Sequence, residues 1–268
     1  MNYINSALFG IVQGATEFLP ISSSGHLLIM HRLFNLPLAS DLTFDVALHL
    51  ATLLAVVYIL RNEIWLLARS FFSSWPVGGD EYSRLAWLII LATLPAMFFG
   101  WLLSDYFEDL FRSPAIVAVM LASVGVLFLV AEKLGRQNQD IFHLNWQQSL
   151  FIGLVQAVAL IPGTSRAGVT IIAGLAIGLK RELAVRFSFL LAVPIIAGAA
   201  LKELPKILNS GGGQWPVLGI AFIFAFISGL LAIRYFLIYV RRYSLKIFAF
   251  YRFVLAAAII IYFYLIRI

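Results

Sequence analysis

Long charge-free runs of apolar residues decide what this chain can fold into. Three such runs, at 85–104, 113–131 and 207–233, contain no Asp, Glu, Lys or Arg. A helix needs about 20 mostly apolar residues to cross the hydrocarbon core of a bilayer. Hydrophobic residues make up 62% of the chain and charged residues only 12%, whereas about a quarter of the residues of a soluble domain are charged. The chain is therefore an integral membrane protein.

Other apolar segments complete the predicted architecture. Shorter runs at 42–60, 187–201 and 247–266 bring the expected number of transmembrane helices to six. The segments 3–34 and 147–179 are also apolar, but clusters of Gly, Pro, Ser and Thr interrupt both. Irregular backbone at membrane depth is tolerated only where it is buried in protein or lines a wet cavity. We therefore predict an all-α polytopic membrane protein with six transmembrane helices and two re-entrant helix pairs.

The two interrupted segments are similar in sequence. GIVQ at 10–13 recurs as GLVQ at 153–156, and each is followed by a Pro and a cluster of small hydroxyl residues. Each half would contain one re-entrant pair and three crossings, so the second half would be inverted relative to the first. We predict a single membrane domain, 1–268, built from inverted repeats at approximately 1–140 and 141–268. Chance similarity between short apolar segments is the alternative.

Charge predicts the topology of the chain. Nineteen basic residues against thirteen acidic ones give a net charge of +6. In a membrane protein, an excess of Lys and Arg indicates which connections lie in the cytoplasm. Topology therefore explains the positive charge, and we expect no nucleic-acid partner. Basic residues within 61–84, 133–136, 180–186 and 241–246 place these connections in the cytoplasm, and the acidic 104–114 loop should lie outside. No charge precedes Glu17, so we expect no cleaved secretory signal.

Two ionisable residues lie in the interrupted segments. A charge at the centre of a membrane helix costs at least ~2.5 kcal/mol, so such residues are functional candidates. Glu17 follows Gln13 by four residues, which places both on one helix face, and Arg166 lies in the other break. A structural salt bridge between the repeats is the alternative to a functional pair. The hydroxyl residues around the two breaks are Ser22, Ser23, Ser24, Thr164, Ser165 and Thr170.

These groups predict a phosphate-binding pocket. A guanidinium binds phosphate oxygens with two parallel N–H groups, and helix N-termini and hydroxyls add further donors. Glu17 and Gln13 do not suit a bare phosphate, but their oxygens suit a divalent cation, Mg²⁺ or Ca²⁺, that bridges to it. His26 follows Ser23 by three residues and could act as a base for its hydroxyl. An interfacial hydrogen-bonding histidine is the alternative.

Three polar residues elsewhere in the predicted spans need an explanation. Asp45 and His49, four residues apart, could form a pair that orients the first break, whereas two ligands alone are weak support for a metal site. Arg252 in the last span needs either an acidic partner or a route to the interface.

The motifs QGATEFLPISSSGH (13–26) and PGTSRAGVT (162–170) resemble the two signatures of the undecaprenyl-diphosphatase family of the bacitracin-resistance type. The resemblance extends over nearly the whole chain, including FSFLLAVP at 187–194 and YRFVLAAA near the end. It implies a multi-pass enzyme of the bacterial inner membrane, with its site opening to the outer side. That enzyme hydrolyses undecaprenyl diphosphate to undecaprenyl phosphate, which is the lipid carrier for peptidoglycan synthesis, and confers bacitracin resistance. A divalent cation, the lipid substrate and membrane lipid are the implied partners, and a homodimer is compatible with this.

The resemblance also implies residue roles. Gln13 and Glu17 match its metal-binding (E/Q)xxxE, and Ser23 and His26 match its hydroxyl and imidazole. The second motif supplies Gly163, Ser165, Arg166 and Thr170, while Ala167 stands where the family has a second Ser. In the leading mechanism Ser23 attacks the terminal phosphorus, and His26 or Glu17 takes its proton.

Two alternatives remain open at this point. Within the same chemistry, a metal-activated water could attack the phosphorus directly, with Ser23 only binding the phosphate. In a different class, a polyprenyl-phosphate transporter or flippase could use the same anion pocket, because inverted repeats with broken helices are typical of transporters.

Overall fold

The computed structural model describes residues 2–34, 38–73, 79–110, 113–209 and 215–263, with side chains described outside 38–43, 104–110 and 203–209. The described residues are helical apart from connections and one isolated bridge between Gln139 and Leu179. The α-helices are α1 (Tyr3–Glu17), α2 (Ser23–Leu33), α3 (Leu38–Ile59), α4 (Arg61–Ser73), α5 (Glu81–Leu110), α6 (Pro114–Leu134), α7 (Trp146–Ala157), α8 (Arg166–Ala176), α9 (Arg181–Asn209), α10 (Trp215–Val240) and α11 (Lys246–Ile261). One-turn 3-10 helices occupy Ile141–His143 and Val158–Leu160.

Several of these helices are long and apolar enough to cross a membrane. Within the described ranges four segments meet that condition, and the bent pair α3–α4 would make a fifth if it is counted as one span. The four segments are Glu81–Leu103, Pro114–Leu134, Arg181–Lys202 and Trp215–Val240. The chain is therefore an all-helical, multi-pass membrane protein.

The predicted bounds of two spans are wrong. The run 207–233 was charge-free, but Asn209 ends α9, and α10 begins at Trp215 and continues through Arg234 to Val240. The charge-free run stops at Arg234, but the helix does not. The Arg234 side chain is exposed, and a long cationic side chain within a membrane helix can reach the interface. Likewise α5 continues to Leu110, through most of the acidic loop predicted at 104–114. The Gly-rich stretch 211–213 lies outside the described residues.

A helix also occupies part of the connection predicted at 61–84. The axis of α4 is bent by 83° from that of α3 at Leu60. Counting continuous apolar residues missed α4 because polar and charged residues, such as Glu63 and Arg69, interrupt it along its length.

The two similar segments form matching pieces of structure. Helix α1 packs on α10, and α7 packs on α5. Gly10 in α1 and Gly153 in α7, 143 residues apart, lie directly against the partner backbone. A Cβ on Gly10 would be 2.3 Å from the Ala221 carbonyl oxygen, and one on Gly153 would be 2.5 Å from that of Ala92. Larger side chains at these positions would separate the helices.

Candidate active site

The two interrupted segments meet through a pair of sharp turns. Each turn ends in a serine with left-handed backbone, Ser22 (φ 73°) and Ser165 (φ 72°). The Ser22 hydroxyl accepts the Gly25 N–H, and the Ser165 hydroxyl accepts the Gly168 N–H, so both serines cap the helix that follows. Left-handed backbone costs about 1–2 kcal/mol in a residue other than glycine, and strain of this kind is concentrated at functional sites.

The first two N–H groups of α2 and of α8 have no acceptor within their helices. They belong to Ser23 and Ser24 in one helix and to Arg166 and Ala167 in the other. The turns are in contact, because the Gly163 N–H donates to the Ser24 hydroxyl at 3.3 Å. Two helix N-termini, with their positive dipole ends, therefore border one region.

Glu17 lies at the centre of this region. Its side chain is only 6% exposed, and its Oε1 accepts from Arg166 Nη2 at 3.2 Å. Its Oε2 accepts from the Ser23 hydroxyl at 2.8 Å and from Gln13 Nε2 at 3.0 Å. The structure thus brings together Gln13, Glu17 and Ser23 from one segment and Arg166 from the other.

His49 joins this group from α3. Its Nδ1 lies 3.0 Å from Gln13 Nε2 and 3.3 Å from Glu17 Oε2. His49 and Asp45 were predicted to form a pair that orients the first break. His49 does contact that segment, whereas Asp45 contacts His31 at 3.1 Å. Four-residue spacing placed both side chains on one face of α3, but α1 and α2 pack beside different parts of that face.

Arg166 is held from both sides of its guanidinium. Nη1 donates to the Ser188 carbonyl oxygen at 3.2 Å while Nη2 binds Glu17, and its Cζ lies 5.8 Å from the centroid of the Phe18 ring. Thr170 lies one turn along α8, where its hydroxyl donates to the Arg166 carbonyl at 2.8 Å and lies 2.7 Å from the Ser188 hydroxyl. Thr170 therefore supports Arg166 from within the protein.

A second arginine holds the two turns together. Arg252 of α11 is completely buried, and its guanidinium donates to the carbonyl oxygens of Pro20 at 3.1 Å and of Gly163 and Thr164 at 2.9 Å. It also donates to Leu121 at 3.1 Å and to Met120 at 3.4 Å. Among the residues whose side chains the structure describes, Arg252 has no acidic partner, and it is buried instead of reaching the interface. Backbone carbonyls of both turns accept its N–H groups.

The second turn needs the glycine that the motif supplies. Gly163 has φ +91°, and a Cβ there would lie 2.6 Å from the Val117 carbonyl oxygen. Thr164 follows it and is fully buried. Its hydroxyl oxygen has no hydrogen-bond partner among the described residues, and the same is true of Gln13 Oε1. Buried polar atoms without partners are uncommon and can mark the place of a ligand.

His26 does not pair with Ser23 as the spacing suggested. Its Nδ1 lies 2.7 Å from the Ser22 carbonyl oxygen, and its Nε2 lies 2.6 Å from the Tyr251 hydroxyl. The two rings are nearly parallel, 12° apart, with centroids separated by 5.7 Å. Because both imidazole nitrogens are occupied, the Ser23 hydroxyl donates to Glu17 instead. Tyr251 begins the YRFVLAAA stretch, but it was not predicted as a site residue, because it lies 225 residues from His26.

Comparison with known proteins gives a consistent result. A sequence profile described as "Bacitracin resistance protein BacA" matches residues 6–258. A protein of Rubrobacter xylanophilus named undecaprenyl-diphosphatase is 47% identical over 267 residues, which covers 97% of each chain. An undecaprenyl-diphosphatase of Moorella thermoacetica is 42% identical over all of both chains. Undecaprenyl-diphosphatase 1 of Pseudoalteromonas translucida is 39% identical over 98% of this chain and 99% of its own.

Proposed function

Because the chain belongs to the BacA family of bacitracin resistance proteins, it is a membrane phosphatase acting on undecaprenyl diphosphate, and we propose that the two turns together form its active site. The product, undecaprenyl phosphate, is the lipid carrier that is reused for cell-wall synthesis. The reported relatives are named for hydrolysis, so the flippase alternative has no support. The single observation that carries the proposed site is the contact between Glu17 and Arg166 across the two turns.

The site suits a diphosphate for electrostatic reasons. One carboxylate, that of Glu17, faces the Arg166 guanidinium, and Arg252 adds a buried cation behind the turns. Arg166 uses two of its five N–H donors on Ser188 and Glu17. Its remaining donors and the free N–H groups of α2 and α8 bind the phosphate oxygens. Ser24, Thr164 and Ser165 line the same turns.

Ser23 is the proposed nucleophile and Glu17 its base. The Ser23 hydroxyl donates to Glu17 Oε2 at 2.8 Å, which is within the range for proton transfer. Ser23 Oγ forms a bond to the terminal phosphorus, the bond from that phosphorus to the bridging oxygen breaks, and undecaprenyl phosphate leaves. The Ser23 proton goes to Glu17. Water then hydrolyses the phosphoserine, and Glu17 returns the proton.

Trapping the intermediate distinguishes this route from direct attack by water. We expect rapid acid quenching of enzyme with substrate labelled in its terminal phosphate to leave label on a peptide containing Ser23. The Ser23→Ala variant should carry none, and Ser73→Ala should label normally because Ser73 lies at the end of α4, where its hydroxyl donates to the Ser70 carbonyl. Turnover by the parent enzyme without labelled Ser23 at any quench time would favour attack by water.

A divalent cation fits the site when the phosphate oxygens of the substrate supply some of its ligands. The described residues hold no group of three or more His, Cys, Asp or Glu that could bind a metal, so the protein alone offers an incomplete site. Glu17 and the unpartnered Gln13 Oε1 would hold Mg²⁺ or Ca²⁺, with phosphate oxygens and water completing the oxygen ligands. When bound, the ion would neutralise charge that develops on the phosphate oxygens.

We assign Tyr251 the role of positioning His26. A carbonyl oxygen only accepts, so the contact with Ser22 places the imidazole proton on Nδ1, and Nε2 of the neutral ring accepts the Tyr251 O–H. This arrangement fixes the tautomer and orientation of His26 beside the first turn. His26 in turn binds the Ser22 carbonyl, immediately before Ser23. His26 therefore aligns the nucleophile's turn rather than removing its proton.

Removing the Tyr251 hydroxyl tests this role. We expect Tyr251→Phe to lower kcat about tenfold, with little change in KM or thermal stability, because the ring stays and only the bond to His26 Nε2 is lost. Tyr235→Phe is the matched control, since Tyr235 is 65% exposed on α10, and it should be unaffected. Unchanged kcat in Tyr251→Phe would contradict the assignment.

The membrane arrangement is part of the same proposal. Helices α3, α5, α6, α9, α10 and α11 form six crossings, and the pairs α1–α2 and α7–α8 are re-entrant. At 1.5 Å per residue, the 11 residues of α2 and the 11 of α8 each give a length of about 16 Å, too short for the ~30 Å hydrocarbon core. The matching Ser22 and Ser165 turns support inverted repeats. We expect the site to open to the outer side of the inner membrane, and the basic connections support the cytoplasmic position of the loops on the other side.

Purified protein in detergent provides the test of function. We expect release of inorganic phosphate from undecaprenyl diphosphate without any transmembrane gradient, loss of activity with EDTA, and recovery with Mg²⁺ or Ca²⁺. Activity that persists in EDTA would overturn the metal assignment but not the phosphatase assignment. No phosphate release from folded protein with the metal present would overturn the function itself.

A further inference from the structure

Helix α4 carries a surface that the phosphatase site does not use. Arg61, Trp65, Arg69 and Phe72 follow one another at spacings of four, four and three residues, which places them in one stripe along a helix. Trp65 is 68% and Phe72 77% exposed, and both arginines are exposed. We call these four residues the α4 stripe.

The opposite face of α4 is fixed to the protein. Leu67 is buried, and the Phe71 ring packs 4.9 Å from the Trp87 ring of α5. Glu63 is paired with Arg186 of α9. Asp80 contacts Ser70 at 3.1 Å, on the side of α4 away from the stripe. The contacts of these two acids therefore lie away from the stripe, in which cations and aromatic rings alternate along the helix.

The angle between α4 and α3 indicates where the α4 stripe lies relative to the membrane. If α3 crosses the membrane, an 83° bend at Leu60 places the α4 axis nearly parallel to the membrane plane. Tryptophan is enriched at the headgroup level, where its amphipathic ring is stable. Arginine at the same depth can bind phosphate oxygens through its planar guanidinium.

We propose that α4 lies flat in the headgroup layer and that the α4 stripe binds anionic phospholipids. Trp65 and Phe72 insert at the boundary between headgroups and acyl chains, and Arg61 and Arg69 bind lipid phosphates. Charge complementarity selects an anionic lipid, because each basic residue near an anionic membrane surface contributes about 1 kcal/mol. This interaction is independent of the proposed active site.

The depth of α4 can be measured with single labels. The chain has no cysteine, so Trp65→Cys and Phe72→Cys each accept one nitroxide without background labelling. In lipid nanodiscs, accessibility to oxygen and to a water-soluble nickel reagent should place both labels at one depth, just below the phosphates. If α4 instead continued the α3 crossing, the two labels would differ in depth by about 10 Å. That difference, or full exposure of both to water, would overturn the proposal.

Lipid selectivity tests the role of the arginines. Association of spin-labelled phosphatidylglycerol, relative to spin-labelled phosphatidylcholine, should fall about fivefold or more in the Arg61→Gln/Arg69→Gln double variant. The control is Arg136→Gln/Arg242→Gln, which removes the same charge from two exposed arginines outside the stripe and should have a smaller effect. Equal losses in the two double variants would show a general charge effect and overturn the assignment to α4. Phosphatase activity in detergent should be unchanged in both, which separates this result from the active-site proposal.

Discussion

Glu17→Gln is expected to lower the kcat for undecaprenyl diphosphate hydrolysis about 10³-fold, which is within the range for loss of a general base. The amide is nearly isosteric with the carboxylate but cannot take the proton of Ser23, which now donates to Glu17 at 2.8 Å. It also removes the charge that faces Arg166 at 3.2 Å. Steady-state phosphate release by purified protein in detergent measures the loss.

A matched control separates this effect from a general loss of negative charge. Glu182 is 31% exposed and pairs with Arg186 and Arg241 far from the turns, so Glu182→Gln should keep near-normal activity. Thermal unfolding of Glu182→Gln should resemble that of the parent. Glu17→Gln should unfold at a lower temperature because it leaves the mostly buried Arg166 without its counter-charge, so kcat is compared per folded molecule. If Glu17→Gln retained more than a tenth of the parental kcat, Glu17 would not be the base.

Arg252→Met should destabilise the protein and inactivate it. The substitution leaves the buried carbonyls of Pro20, Gly163 and Thr164 without their donor, and each unsatisfied buried group costs about 1–3 kcal/mol. We therefore expect a loss of about 3 kcal/mol or more, together with separation of the two turns. Thermal unfolding in detergent and activity per folded molecule measure the two effects.

Two further variants identify the cause. Arg252→Lys keeps the charge but has one ammonium in place of a planar guanidinium. Its thermal stability and its activity per folded molecule should therefore lie between those of Arg252→Met and those of the parent. Arg234→Met removes an exposed cation from α10 and should change little. Parental stability and activity in Arg252→Met would show that the carbonyl contacts do not hold the turns.

The sequence predicted much of this site because its chemistry is local. Ionisable residues are costly in a membrane, so Glu17 and Arg166 stood out against their apolar surroundings. The Gly, Pro and Ser clusters marked the turns, since backbone can leave the helical conformation there. The all-helical membrane class followed from composition alone.

The other contacts of the site depend on how the helices pack against one another. The spacing of residues along a single helix does not define that packing. His49 and Tyr251 reach the site from α3 and α11. Four-residue spacing singled out His49 with Asp45, but it did not indicate the contacts of His49 with Gln13 and Glu17, and no local pattern indicated that Tyr251 contacts His26. The partners of Arg252 are main-chain carbonyls, which leave no trace in the sequence. Helix α4 was missed because polar and charged residues interrupt it, so it contains no continuous apolar run long enough to cross a membrane.

The central claim is that Glu17 and Arg166, from opposite turns, act on the same diphosphate. A double-mutant cycle measures this directly, using kcat/KM for undecaprenyl diphosphate with Glu17→Gln, Arg166→Lys and the double variant. Residues that act as one unit show strongly non-additive losses, so the double variant should lose little more than the worse single variant. Losses that multiply in the double variant, or near-normal turnover in Arg166→Lys, would contradict a shared site.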